Sequence, residues 1–107
     1  MAMNYATSND SILSAIYAAI GELNLQLPKN RLIQPTPNTR LFGEQGRLDS
    51  LALANFIILV EDKLEERLGS RFDLTQDDPF SPENGHFRTV ETLALYIASS
   101  LHHNGWE

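Results

Sequence analysis

The sequence predicts an all-α domain, a bundle of three longer helices and one short one with a long first loop. Three observations carry this prediction. Apolar residues recur at spacings of three and four in three separate stretches, the helical period. Strand-like alternation of apolar and polar residues is absent. Helix breakers gather between the periodic stretches: Pro28, Pro35 and Pro37 in one connection, Pro79, Pro82 and Gly85 in the other.

The first helix is expected over residues 9–26. Ile12, Leu13, Ile16, Tyr17, Ile20 and Leu23 make one apolar stripe, and Ser8, Asn9 or Asp10 caps the start. Gly21 costs about 1 kcal/mol relative to alanine, which tertiary packing must cover. Residues 27–48 form the long loop, pinned to the core by Leu32, Ile33, Leu41 and Phe42.

The strongest helix spans residues 50–68. Leu53, Phe56, Ile57, Val60, Leu64 and Leu68 line one side, Asp49 caps the start and Gly69 ends it. Its first half is apolar nearly all round, so it must meet more than one surface. Residues 70–88 are loop-like, with one short helical turn around 81–84, where Ser81 and Pro82 occupy the cap and first-turn positions. The last helix covers 90–101. Thr89 caps it, Glu91 suits the positive end of its dipole, and Val90, Leu93, Ala94, Ile97 and Leu101 face the core. The whole chain, 1–107, reads as one domain with its core at about 9–101 and disordered termini.

Composition narrows the function. A 42% hydrophobic fraction is that of an ordinary soluble protein, and no apolar run is long enough for a membrane span. Residues 1–10 lack the basic-then-apolar pattern of a signal sequence, so a cytoplasmic location is expected. With no cysteine, disulfides, thiolate metal sites and a cysteine nucleophile are excluded, and any thiol chemistry must come from an added group. Residues 1–43 hold two acids and three bases, whereas 44–107 hold twelve acids and five bases. This is the wrong sign for nucleic acid. It suits basic patches on a protein partner, or it serves only solubility.

Asp49-Ser50-Leu51 is the tripeptide with chemical promise. It places the Ser50 hydroxyl at the first helical position, beside unpaired backbone N–H groups. A phosphate on Ser50 would gain from those amides and the helix dipole, with Arg47 near enough in sequence to act as counter-charge. A serine at a helix start is also a common structural residue. Ser50 has no histidine at a sequence-predictable distance, so no paired base and nucleophile supports a small helical enzyme. His86, His102 and His103 do not form a metal set, since adjacent His102 and His103 point to different sides of a helix. Asp77 and Asp78 before Pro79 read as a turn rather than a calcium loop. Ala52, Ala54 and Ile58 lie off the main stripe of the second long helix. They either pack against neighbouring segments or form a small apolar docking patch. Glu61, Asp62, Glu65 and Glu66, with Lys63 and Arg67 between them, make either a solvated face with local ion pairs or a partner-docking face.

Taken together, these pieces resemble the acyl carrier protein family. The resemblance runs over residues 9–101. It rests on Thr39-Arg40-Leu41-Phe42-Gly43 late in the loop, Asp49-Ser50-Leu51 at the junction, the run from Val60 to Gly69, and Thr89-Val90 with Leu93, Tyr96 and Ile97. It implies an acyl-carrier-like four-helix bundle and a carrier rather than an enzyme. By this likeness Ser50 would receive 4′-phosphopantetheine from coenzyme A through a separate phosphopantetheinyl transferase. The thiol of that arm would hold an acyl or aminoacyl group as a thioester. Asp49 would cap the helix and help position the modification, and Leu51 would pack under the attachment point. Ala54, Ile58, Glu61 and Asp62 would dock a loading ligase and acyl-transferring enzymes. Leu53, Phe56, Ile57 and Ile97 would shelter an apolar chain inside a monomeric, stand-alone bundle.

The chain also departs from the family pattern. Arg47 stands where a glycine is frequent, Ala52 and Asn55 stand where fatty-acid carriers place acids, and the segment from Phe72 to Arg88 is long. These departures point to a specialised pathway rather than housekeeping fatty-acid synthesis. They leave fatty acyl, polyketide, hydroxyacyl and aminoacyl cargoes open. The competing expectation is an unmodified protein-interaction module of the same fold.

Overall fold

The computed structural model describes the backbone of residues 2–69, 71–81, 83 and 85–103, and within these ranges the side chains from residue 10 to residue 100. Three α-helices form: α1 (Ala2–Asn24), α2 (Ser50–Leu68) and α3 (Val90–His103), with a single 3₁₀ turn at Lys29–Arg31. Among the described residues there is no strand, only an isolated antiparallel bridge between Arg40 and Thr89. A radius of gyration of 13.4 Å is that of a folded chain of this size.

The local signals at α2 act as expected. The Asp49 carboxylate accepts from the Ala52 N–H at 2.8 Å. At the other end Gly69 adopts the left-handed conformation (φ 73°) and donates its N–H to the Glu65 carbonyl at 2.9 Å. Helix α1 departs from expectation: its helical backbone begins at Ala2, so residues 8–10 lie inside the helix instead of capping it. Ser, Asn and Asp permit a helix start without requiring one, because each costs well under 1 kcal/mol in a helix interior. The last turn of α1 tightens, with Leu25 N–H bonded to the Glu22 carbonyl at 3.1 Å and Gln26 N–H to that of Leu23 at 2.9 Å. Helix α3 extends to His103. No fourth α-helix is present among the described residues. Two residues of the expected short turn, 82 and 84, lie outside them, as do residue 1 and the tail 104–107.

Helix α1 is the hub. It packs on both α2 and α3, while the backbones of α2 and α3 do not approach one another. Its buried face is Ile12, Ala15, Ile16, Ala19, Ile20 and Leu23. The small Ala15 and Ala19 bring the neighbouring helix close, and Leu13 and Tyr17 flank them half-buried. The α2 residues Leu53, Phe56, Ile57, Val60 and Leu64 and the α3 residues Val90, Leu93 and Ile97 meet this face. Each such large side chain contributes about 1.5–3 kcal/mol by leaving water. The gap between α2 and α3 is filled from the connections by Ile33, Leu41, Leu48, Leu74 and Phe87, all buried. Of the four expected anchors, Ile33 and Leu41 are buried, Phe42 packs half-buried against the core and Leu32 is 39% exposed; Leu48 supplies a further anchor.

The long loop is tied at three places. The Asn24 side chain grips Ile33 through both backbone groups, at 3.0 and 2.9 Å. Leu41 and Phe42 donate their N–H groups to the carbonyls of Arg88 (2.8 Å) and Phe87 (3.0 Å). The chain then folds back through a turn closed by Gly46 N–H to the Gly43 carbonyl at 2.9 Å, with Gln45 at φ 63°. Leu48 N–H returns to the Leu41 carbonyl at 2.8 Å. Gly46 is required here, because a Cβ would stand 2.7 Å from the Leu41 carbonyl oxygen.

Candidate functional site: the start of the second long helix

Ser50 is the first residue of α2 and is exposed. The tied loop delivers it. Leu48 is buried, Asp49 is extended (ψ −178°), and the helix begins one residue later. Asp49 fills its cap role with its own side chain and backbone: the carboxylate takes the Ala52 N–H, and the Asp49 carbonyl takes that of Leu53 at 2.9 Å. The amides of Ser50 and Leu51 are the donors that a helix start leaves over. A hydroxyl in this position belongs to an exposed residue with a donor-rich helix end beside it.

One expectation about the surroundings changes. Leu51 is 73% exposed and does not pack under Ser50. Its side chain leaves on the solvent face of α2, opposite the stripe of Leu53, Phe56 and Ile57. The Arg47 guanidinium donates to the Leu32 carbonyl at 3.4 Å.

Seven positions beyond Leu51, on the same face, Ile58 is 57% exposed. Ala54 lies between them, partly covered, and Asp62 continues the face, exposed. The solvent side of α2 thus reads apolar near Ser50 and acidic further on. The acids divide into separate roles. The Glu61 carboxylate accepts from the Leu74 N–H at 2.9 Å and so anchors the second connection. Glu65 and Glu66 stand near Arg71 (3.9 Å) and Arg67 (3.7 Å). Lys63, expected to pair locally, reaches across to Glu22 on α1, and that hydrogen bond raises the lysine above its ordinary pKa. Asp62 has no such partner among the described residues.

Sequence reasoning missed the parts that hold the site from behind. Gly46 and Leu48 are as necessary to the position of Ser50 as Asp49 is. The available signal was a glycine three residues before a helix cap, followed by a lone leucine. Among the described residues no group of histidine and carboxylate side chains is arranged to hold a metal ion, and the side chains of His102 and His103 lie outside that set. No helix among them is long and apolar enough to cross a membrane. No family model, curated protein or solved structure matches the chain.

Proposed function

We propose that this chain is a carrier protein whose working group is a phosphopantetheine attached to Ser50. The observation that carries the reading is an exposed serine as the first residue of a helix whose lead-in loop is hydrogen-bonded to the rest of the fold. In the attachment step the Ser50 oxygen would form a bond to the phosphorus of coenzyme A's pantetheine phosphate. The pyrophosphate bond breaks, the nucleotide part leaves, and the serine proton passes to a base on the transferase. The residues fit such a group. The phosphodiester anion would meet the Ser50 and Leu51 amides at the positive end of α2. The Asp49 carboxylate, busy with Ala52, opposes it only partly through charge repulsion.

The thiol at the far end of the arm would carry an acyl or aminoacyl cargo as a thioester, in a chain that has no thiol of its own. Partner enzymes would read the solvent face of α2, with Leu51, Ala54 and Ile58 as apolar contacts and Asp62 as the free acid. The finer architecture expected of such carriers, a short helix within 81–84, belongs to this reading, as do a cytoplasmic monomer and a specialised pathway.

The test is intact mass after incubation with coenzyme A and a broad-specificity phosphopantetheinyl transferase. The wild-type chain should gain one phosphopantetheine group, and Ser50→Ala should gain none while keeping its helical circular dichroism. A folded wild-type chain that stays unmodified would favour the other reading, an interaction module that uses the same Leu51–Ile58 face directly.

A further inference from the structure

A second site lies away from the α2 face. The turn at 40–44 and the residues at 79–81 and 85–88 border a cleft of about 300 Å³, lined by Arg40, Phe42, Glu44, Phe80, Phe87 and Arg88. That is the small end of the range in which proteins hold small molecules. Its floor is apolar. Phe87 and Pro79 are buried, and Phe42 meets Phe80 edge-to-face with ring centroids 5.9 Å apart. Phe80 remains 42% exposed at the lip, an aromatic ring with one side unpacked. Gly43 and Gly85 form parts of the wall that carry no side chain.

The rim is cationic in a chain whose net charge is −6. Arg40 and Arg88 come from the two short extended segments that meet at the Arg40–Thr89 bridge, so both border one cleft. Among the described residues neither guanidinium has a salt bridge or a hydrogen bond. By contrast Lys63, Arg67 and Arg71 each have a carboxylate. Glu44 is the one acid on the lining, which leaves a local excess of one positive charge. An inorganic ion would leave the aromatic floor bare, and a neutral ring would leave both arginines unanswered.

We propose that this cleft binds a small organic oxyanion carried on a ring-sized apolar body. The oxyanion would lie between the Arg40 and Arg88 guanidiniums, which present paired donors to carboxylate or phosphate oxygens. The ring would stack into the space bounded by Phe42, Phe80 and Phe87. The site does not involve Ser50, and it holds whether or not that residue is modified.

The test is a titration of the full-length chain, followed by amide NMR, with four probes: phenyl phosphate, phenylacetate, inorganic phosphate and benzyl alcohol. Phenyl phosphate or phenylacetate should saturate shifts centred on residues 40–44 and 85–88, and the tighter of the two names the anion. Each should bind about tenfold or more tightly than inorganic phosphate or benzyl alcohol, since each control lacks one half of the recognition. Arg40→Gln and Arg88→Gln, both at exposed positions, should each weaken binding about tenfold while leaving the unfolding midpoint in place. The Ser50→Ala chain should titrate as wild type. The proposal is overturned by shifts that do not saturate or that centre elsewhere, by inorganic phosphate binding as tightly as phenyl phosphate, or by unchanged affinity in the two arginine variants.

Discussion

Helices α2 and α3 begin under the same long loop and end up with opposite kinds of start. At α3 the protein closes the helix. Val90 and Glu91 give their N–H groups to the carbonyls of Thr39 (3.0 Å) and Pro37 (2.9 Å). Thr92 gives its own to the Thr89 hydroxyl at 3.1 Å, and the Thr92 hydroxyl accepts the Thr89 N–H at 3.0 Å. Every donor of that first turn has a protein acceptor. At α2 only the Ala52 amide is capped by a side chain, and Ser50 faces solvent. Both starts carry a capping residue, Asp49 and Thr89, and they differ in that the 37–39 segment takes the first amides of α3. A closed start is architecture. An open start leaves backbone donors available to something that arrives later.

The largest blow to this contrast should come from behind the open start. Leu41 is fully buried and bonds through its backbone to both Arg88 and Leu48. Leu41→Ala should cost about 2–5 kcal/mol in urea unfolding. It should also slow modification of Ser50 in the fraction that remains folded. A loss below about 1 kcal/mol would mean that the loop does not hold the corner.

The two caps give a direct comparison. Thr89→Ala removes one side of a reciprocal pair in a closed start and should cost up to about 2 kcal/mol. Asp49→Ala opens a single bond at an exposed start and should cost about 1 kcal/mol or less. If the order were reversed, the description of α3 as the closed end would be wrong.

Ile58→Ala sharpens the functional side. At 57% exposure it should shift stability by less than about 0.5 kcal/mol while weakening transfer from any partner that reads α2. Equal losses of stability and transfer would return Ile58 to a packing role.

The smallest effect is one of pH, on α3. Tyr96 lies half-buried with His86 stacked on its ring at 3.8 Å. Burial, then the charges of Asp77 and Asp73, raise its hydroxyl above the ordinary 10.0. The folded chain thus keeps that proton where the unfolded chain begins to lose it. The associated stability is complete below pH 10.0 and is lost as pH climbs through the folded value. Urea midpoints measured toward pH 10.5 should fall less steeply for Tyr96→Phe than for wild type.

Legibility followed range. The stripe of α2, its Asp49 cap and its Gly69 stop were readable because each is decided within four or five residues of chain. The exposure of Leu32 beside a buried Ile33 was not, because either leucine-sized residue suits a core and the grip of Asn24, nine residues before Ile33, favours one of the two. Ala15 and Ala19 give no strong apolar signal, yet they set how closely the helices meet. Leu51 was expected to pack under Ser50 from the family resemblance, but its place opposite Leu53 and Ile57 turns it outward. The division of labour among the acids was hidden for the same reason: Glu61 is taken by Leu74 and Lys63 by Glu22, partners that local spacing does not announce.

The backbone bonds from residues 37–42 to residues 87–91 carry a consequence for biosynthesis. A ribosome makes Ser50 long before it makes Arg88 and Val90, and until those emerge the loop in front of the serine lacks its tie to residues 87–91. The corner is completed by some of the last-made parts of the fold. An interrupted chain that stops in the second connection would contain the serine yet lack the frame that presents it, so any enzyme needing that frame would pass over unfinished copies.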